Sequence, residues 1–275
     1  MRTDYWITTA SLSLKKAAVP TAHLDAMVLL ADITGEDKAW LLAHPENELT
    51  ESQLSELQHR LQRRSKHEPL AYIRGKTEFF GHEFLVDQRV MEPRPETEAM
   101  LETLLDRHQQ LGEAPIIIDV GTGSGALAIS AKLALPSATV CGLDVSNDCL
   151  LVAQENADRL GADVQFMCSD LLASWDEASP SIAVILANLP YVPDAFPVNQ
   201  AATYEPKLAL FGGADGLELY RRLFAQLEHL PSSAQAVFCE SLEKSHTALC
   251  EIAAKAGYQL ETTAGLIQIF GRIET

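Results

Sequence analysis

Six consecutive apolar residues, 182–187, run without a polar break into Asn188-Leu189-Pro190-Tyr191. So short and uniformly apolar a run reads as a buried strand, and its stop at an Asn with Pro two residues later reads as an abrupt strand end. In an open parallel α/β sheet, ligands bind outside the carboxyl ends of the strands. The Asn188 amide offers a carbonyl acceptor and an NH2 donor, Pro190 holds φ near about −65°, and Tyr191 supplies a flat face. Asn188, Leu189, Pro190 and Tyr191 are therefore candidate catalytic residues, suited to a planar group that carries an NH2.

The surrounding pattern supports that sheet. From Pro115 onward strand-like and helix-like stretches alternate, which predicts a doubly wound parallel α/β fold. Strands are expected over 116–120, 139–144, 164–168 and 182–187, with helices over 126–135 and from Ser146 to near Gly161. A Pro-rich loop to about Gly213, a helix over 217–230, a strand over 234–240, a helix over 245–256 and strand-like pieces including 266–270 complete the order.

The first three strand ends carry a second set of candidates. Gly121, Thr122, Gly123, Ser124 and Gly125 form a tight turn that lets backbone N–H groups approach a ligand. Their GxGxG spacing differs from the GxGxxG of dinucleotide folds, so the loop alone discriminates weakly. Asp144 ends the second strand, where a carboxylate can accept from both hydroxyls of a ribose; the plainer reading is a helix-entry residue. Asp170, after the third strand, is placed to accept from an adenine amino group with Leu171 packing on the ring, or else to cap a helix. Three such ends describe a nucleoside site better than any one does. With Asn188 on the fourth, they point to S-adenosyl-L-methionine rather than NAD.

Composition limits the partners. The 275-residue chain holds 21 Lys and Arg against 38 Asp and Glu, a formal net charge of -17, which argues against a broad phosphate-binding surface. Arg60, Arg63, Arg64 and Lys66 form one basic cluster in a helical N-terminal region, read either as a solvated helix face or as a docking surface for a partner, including one that contains RNA. Helices are expected over 21–33 and 51–66, then a hairpin linker with Gly75 and Gly81 at turns, then a helix opened by Pro95 and running to about Gln110. The five cysteines contain no CxxC pair and read as reduced thiols, and the eight histidines lack metal-ligand spacing. No segment has the roughly 18 apolar residues of a membrane span, and residues 1–10 lack an apolar signal core, so a cytoplasmic protein without membrane contact is expected.

Three further motifs narrow the reading: Glu68-Pro69-Leu70-Ala71-Tyr72-Ile73-Arg74-Gly75, Pro93-Arg94-Pro95-Glu96-Thr97-Glu98, and Tyr204-Glu205-Pro206-Lys207-Leu208-Ala209-Leu210 leading into Gly212-Gly213. Together with the Gly121 loop, Asp144 and Asn188-Leu189-Pro190-Tyr191, they resemble the HemK/PrmC family over nearly the whole chain. That family consists of class I (Rossmann-like) methyltransferases that modify the glutamine of the Gly-Gly-Gln loop in peptide-chain release factors. The resemblance implies a helical substrate-docking domain over 1–72, a β-hairpin linker over 73–93 and a catalytic domain over 94–275. It also implies S-adenosyl-L-methionine as cofactor, with Asn188 contributing to its site, release factors as protein substrates, no direct nucleic-acid substrate, and a monomer. Leu189 stands where the family usually has Pro, and residues 265–272 lack the Asp-containing hairpin sequence of most members. Two rivals are an adenine-N6 methyltransferase acting on RNA or DNA, and a non-catalytic ribosome- or factor-binding module.

Overall fold

The computed structural model describes residues 1–175, 181–230 and 234–273. The chain divides into two compact units: Met1–Lys76 with Val198–Tyr204, and Thr77–Pro197 with Glu205–Thr275.

The first unit is helical: α1 (Thr3–Lys16), α2 (Ala22–Thr34), α3 (Lys38–Ala43), α4 (Glu51–Ser65) and α5 (Leu70–Arg74). Three of these, α1, α3 and α5, go beyond the helices expected from sequence. In α1 the buried positions Trp6, Ile7, Ala10 and Leu14 recur at helical spacing, a stripe diluted in the sequence by intervening Thr and Ser. α4 opens on a capping box, Thr50 accepting from the Gln53 N–H while Gln53 accepts from the Thr50 N–H. Its buried Leu57 and Leu61 join Leu14, Leu29, Leu30 and Leu41 in one apolar core.

The three arginines of the basic cluster are spent inside this unit, while Lys66 is exposed. Arg60 pairs with Glu56 and Asp32, Arg63 with Glu68, and Arg64 with Asp25 at 2.6 Å, where both side chains are nearly buried. These arginines tie α4 to α2 and to the approach to α5, which a bare solvated face would not do.

The second unit begins with a two-stranded hairpin, β1 (Lys76–Phe79) and β2 (His82–Leu85), and then α6 (Glu98–Asp106). Alternation follows: β3 (Ile116–Val120), α7 (Ala126–Ala134), β4 (Thr139–Asp144), α8 (Asn147–Leu160), β5 (Val164–Cys168) and β6 (Val184–Ala187). After the short α9 (Lys207–Leu210) come α10 (Glu218–His229), β7 (Ala236–Glu240), α11 (His246–Lys255), β8 (Tyr258–Ala264) and β9 (Ile267–Arg272). Among the described residues seven strands form one sheet in the order β5-β4-β3-β6-β7-β9-β8. β3 to β7 are parallel, and β9 and β8 close the edge antiparallel.

The expected doubly wound sheet is therefore present. β8 was not anticipated, because its residues are mostly exposed and polar on an edge. The helix expected to run on from Pro95 is divided into a 3-10 turn at Pro95–Thr97, α6 and a second 3-10 turn at His108–Gln110. Two apolar layers sandwich the sheet, one including Ile118, Ile185, Tyr220 and Phe270, the other Ile117, Leu186, Phe238 and Ile269. Adjacent residues in β3, β6, β7 and β9 thus bury opposite faces, which is why those strands read as continuous apolar runs.

Candidate functional site

The strand order reverses between β3 and β6, since β4 and β5 lie on one side and β7 on the other. Such a switch point opens a crevice at the strands' carboxyl ends. Val120 pairs with Ala187, and Ala187 with Cys239, so Gly121, Asn188 and Glu240 emerge side by side. A cavity of about 340 Å³ lies there, within the second unit. Its wall includes Gly121, Thr122, Gly123, Ser124, Asp144, Asp170, Leu171, Asn188, Leu189 and Pro190, so most residues singled out in the sequence meet at one place.

The glycine turn works differently from a bare ring of donors. The N–H groups of Gly121 and Thr122 both donate to the Leu143 carbonyl (2.8 and 2.9 Å), and that of Gly125 donates to Thr122 O. Gly123 N–H donates to Asp144 Oδ2 at 3.0 Å. The N–H groups of Ser124, Ala126 and Leu127 have no acceptor among the described residues, though all three residues are buried. Buried donors at the start of α7 facing a cavity are suited to an anionic ligand group. A Cβ built at Gly123 meets nothing within 4 Å, so the space above the turn is open. Gly125 is absent from the wall. At φ +80° a Cβ there would come within 2.9 Å of Ile129 Cδ1 and 3.1 Å of Ala153 Cβ, so this glycine lets α7 approach α8.

Asp144 accepts from Gly123 N and, through Oδ1, from Ser146 N at 2.9 Å. A carboxylate has about four lone-pair sites, so capacity remains for two ligand hydroxyls. Burial raises its pKa above the usual carboxylate range. Asp170 is half exposed and ion-paired to Arg222 of α10 at 2.5 Å. Leu171 is buried with φ +56°, a left-handed backbone that turns the chain under the cavity.

A buried polar chain stands behind Asn188. Its Nδ2 donates to Thr97 Oγ1 at 2.9 Å, and Thr97 donates to Glu240 Oε2 at 2.7 Å. The second oxygen, Oε1, accepts from Tyr191 OH at 3.0 Å. Tyr191 is therefore drawn toward Glu240 and is not on the cavity wall. Burial raises the Glu240 carboxyl, and burial together with the neighbouring carboxylate raises the Tyr191 phenol. Among the described residues no donor reaches Asn188 Oδ1 or the Leu189 carbonyl.

Residues 5–75 match the family model described as the PrmC N-terminal domain, and 117–202 match a methyltransferase domain. A release factor glutamine methyltransferase of Koribacter versatilis is 38% identical over 224 residues, covering 79% of this chain and 78% of that protein. One from Deinococcus radiodurans is 33% identical over 262 residues, covering 94% and 93%. The chain belongs to the release factor glutamine methyltransferase family. The fold also matches a solved structure, the N-terminal domain of human METTL16 in complex with SAH, with a TM-score of 0.54, 14% identity, and coverage of 90% of this chain and 94% of that one.

In this member of the glutamine methyltransferase family, the structure accounts for Leu189. Unlike Pro, Leu has a backbone N–H, and it donates to Tyr220 OH at 3.3 Å; its side chain is buried against Gly121. The same hydroxyl lies 3.1 Å from the Ala187 carbonyl and bonds to that of Glu240, bracing the ends of β6 and β7. Sequence reasoning did not identify Tyr220 or Glu240 as site residues. It singled out the Arg94 and Glu205 motifs without pairing them, yet Arg94 reaches both oxygens of buried Glu205 at 2.6 and 2.7 Å. It also passed over Asn156, which takes Leu85 N–H (2.7 Å) and donates to Leu85 O and Ser124 O (3.0 Å each), fastening the hairpin and the glycine turn to α8.

Asp119 beneath the turn makes a pH-dependent contribution. Fully buried, its Oδ2 accepts from Thr122 Oγ1 at 2.6 Å and Ala128 N at 3.2 Å, and burial lifts its pKa to about 7. Between about pH 4 and 7 the folded state holds a proton that the unfolded chain has released, so stability falls as pH rises through that window. Asp119→Asn can keep both hydrogen bonds on its Oδ1 and does not titrate. Wild-type stability relative to this variant should therefore fall by about 2–4 kcal/mol from pH 4.5 to 7.5 in urea titrations; parallel curves would contradict the raised pKa.

Proposed function

We propose that the chain transfers a methyl group from S-adenosylmethionine to the side-chain amide nitrogen (N5) of the glutamine in the Gly-Gly-Gln loop of release factors. One observation carries this reading. Asn188 turns its NH2 inward to Thr97, and among the described residues no donor reaches its Oδ1 or the Leu189 carbonyl, so two acceptors on residues of the cavity wall remain for the two hydrogens of a primary amide.

The wall fits the cofactor. The N–H groups of Ser124, Ala126 and Leu127 suit its carboxylate, Asp144 its ribose hydroxyls, and Leu171 its adenine face. Asp170 serves the adenine amino group while sharing its charge with Arg222. When bound, S-adenosylmethionine supplies a methyl group on a positively charged sulfur.

A glutamine nitrogen is a poor nucleophile because its lone pair is delocalised into the carbonyl. Asn188 Oδ1 and Leu189 O, by accepting both hydrogens, orient that nitrogen toward the cofactor side of the cavity, and orientation of reactants can supply roughly 7–11 kcal/mol. The same acceptors favour positive charge developing on nitrogen. Pro190 keeps the carbonyl direction fixed, and Tyr191, off the cavity wall, braces the motif through its hydroxyl bond to Glu240. In this reading residues 1–72 dock the release factor and the chain acts in the cytoplasm.

The test is transfer of labelled methyl from S-adenosylmethionine to a purified release factor, beside its Gln→Ala variant in the Gly-Gly-Gln loop and total RNA. Label confined to that glutamine by mass spectrometry is expected. Label on RNA, or none on the factor, would overturn the reading.

A further inference from the structure

We propose that Thr97, backed by the Glu240 carboxylate, is a positioning residue that fixes which end of the Asn188 amide faces the substrate. The proposal rests on the function given above and extends it to residues that do not touch the reacting atoms.

The argument is a count of hydrogens. While it is ionised, the Glu240 carboxylate only accepts, and it takes one hydrogen from Tyr191 and one from Thr97. Thr97 has a single hydroxyl hydrogen, spent on Glu240, so its oxygen can offer Asn188 only lone pairs. The NH2 end answers those lone pairs at 2.9 Å. The reversed amide would set two acceptors against each other where Thr97 is buried and Glu240 is 1% exposed. Polarity therefore runs one way, from carboxylate to hydroxyl to NH2 to carbonyl, and ends with Oδ1 facing the cavity.

The fold anchors each member of this chain. Thr97 ends the 3-10 turn Pro95–Thr97, just after Arg94, which is pinned to Glu205. Glu240 ends β7, its own carbonyl bonded to Tyr220. Because the same carboxylate holds Tyr191, losing it would loosen both Asn188 and the ring three residues on.

The experiment uses the full chain with Thr97→Val, which keeps shape but removes the hydroxyl, and Thr97→Ser, which keeps the hydroxyl. Single-turnover methylation of a release factor, KM for that factor, Kd for S-adenosylmethionine and the 15N signal of the Asn188 side-chain NH2 are measured together. The NH2 signal is assigned by its loss in Asn188→Ala. Thr97→Val should lower the chemical rate about 100-fold, with KM and Kd within about threefold, while Thr97→Ser stays within about threefold of wild type. The NH2 hydrogens should exchange faster with solvent in Thr97→Val alone. A wild-type rate in Thr97→Val, or equal losses in Thr97→Val and Thr97→Ser, would overturn the proposal. If Thr97→Val fails to fold, Glu240→Gln replaces it, since its amide can donate to Thr97 and release the Asn188 orientation; a wild-type rate there would equally overturn it. Absence of methyl transfer by the wild type sinks the functional reading instead, and the NH2 exchange comparison still decides the contact.

Discussion

Asn188→Ala is expected to lower the chemical rate of glutamine methylation roughly 10²- to 10³-fold, the scale seen when one preorganised hydrogen-bonding group is removed from a transition state. Affinity for S-adenosylmethionine should stay within about threefold, because Gly121 to Ser124, Asp144 and Leu171 line the cavity independently of the amide. Alanine also leaves the Thr97 hydroxyl without a donor, so a small stability loss of about 1 kcal/mol should accompany the rate effect. Single-turnover kinetics and calorimetry separate the two. Equal losses in rate and cofactor affinity would mean that Asn188 mainly shapes the pocket and that another group orients the substrate.

The second large effect belongs to Gly216, far from the chemistry in sequence but pressed against the motif. A Cβ there would lie 2.1 Å from the Tyr191 carbonyl oxygen, at φ +81°, and one at Gly212 would lie 2.2 Å from Pro190 O. Backbone meets backbone, and neither side can rotate away. The contact is tied by Gly212 N–H to Val192 O (2.9 Å), Val192 N–H to Leu210 O (3.0 Å) and Asp194 N–H to Gly213 O (2.9 Å). Gly216→Ala should cost about 3 kcal/mol or more and, in the fraction that folds, lower the methylation rate by shifting Pro190 and Tyr191. Gly161→Ala is the control: it too has positive φ, +67°, but nothing within 4 Å, so only the backbone cost of about 1–2 kcal/mol should appear. If urea denaturation gives the two variants the same loss, the close approach at Gly216 does not carry the stability assigned to it.

These residues differ in how far the sequence discloses them. The glycine turn, Asp144 and Asn188 stand at strand ends, and strand ends are visible because apolar runs begin and stop there. β3 to β6 could be placed to within about two residues for that reason, β6 beginning at Val184 rather than 182. β8 was missed because an exposed edge strand lacks an apolar run. In the N-terminal unit the helix of the basic cluster was legible, but not that its arginines are paired with Asp25, Asp32, Glu56 and Glu68. Charge runs register in composition; their neutralisation by side chains on other elements does not.

Local pattern was thus enough for the class of fold, the glycine turn and the amide-bearing motif, since each depends on neighbours a few residues apart. Tertiary structure alone decided how the motif is aimed. Thr97 lies 91 positions from Asn188 and 143 from Glu240, and the hydrogen bonds among them leave no periodicity to read. The parallel register that sets Asn188 beside Glu240, and the burial of Thr97 and Glu240 behind it, turn three ordinary polar residues into one oriented acceptor.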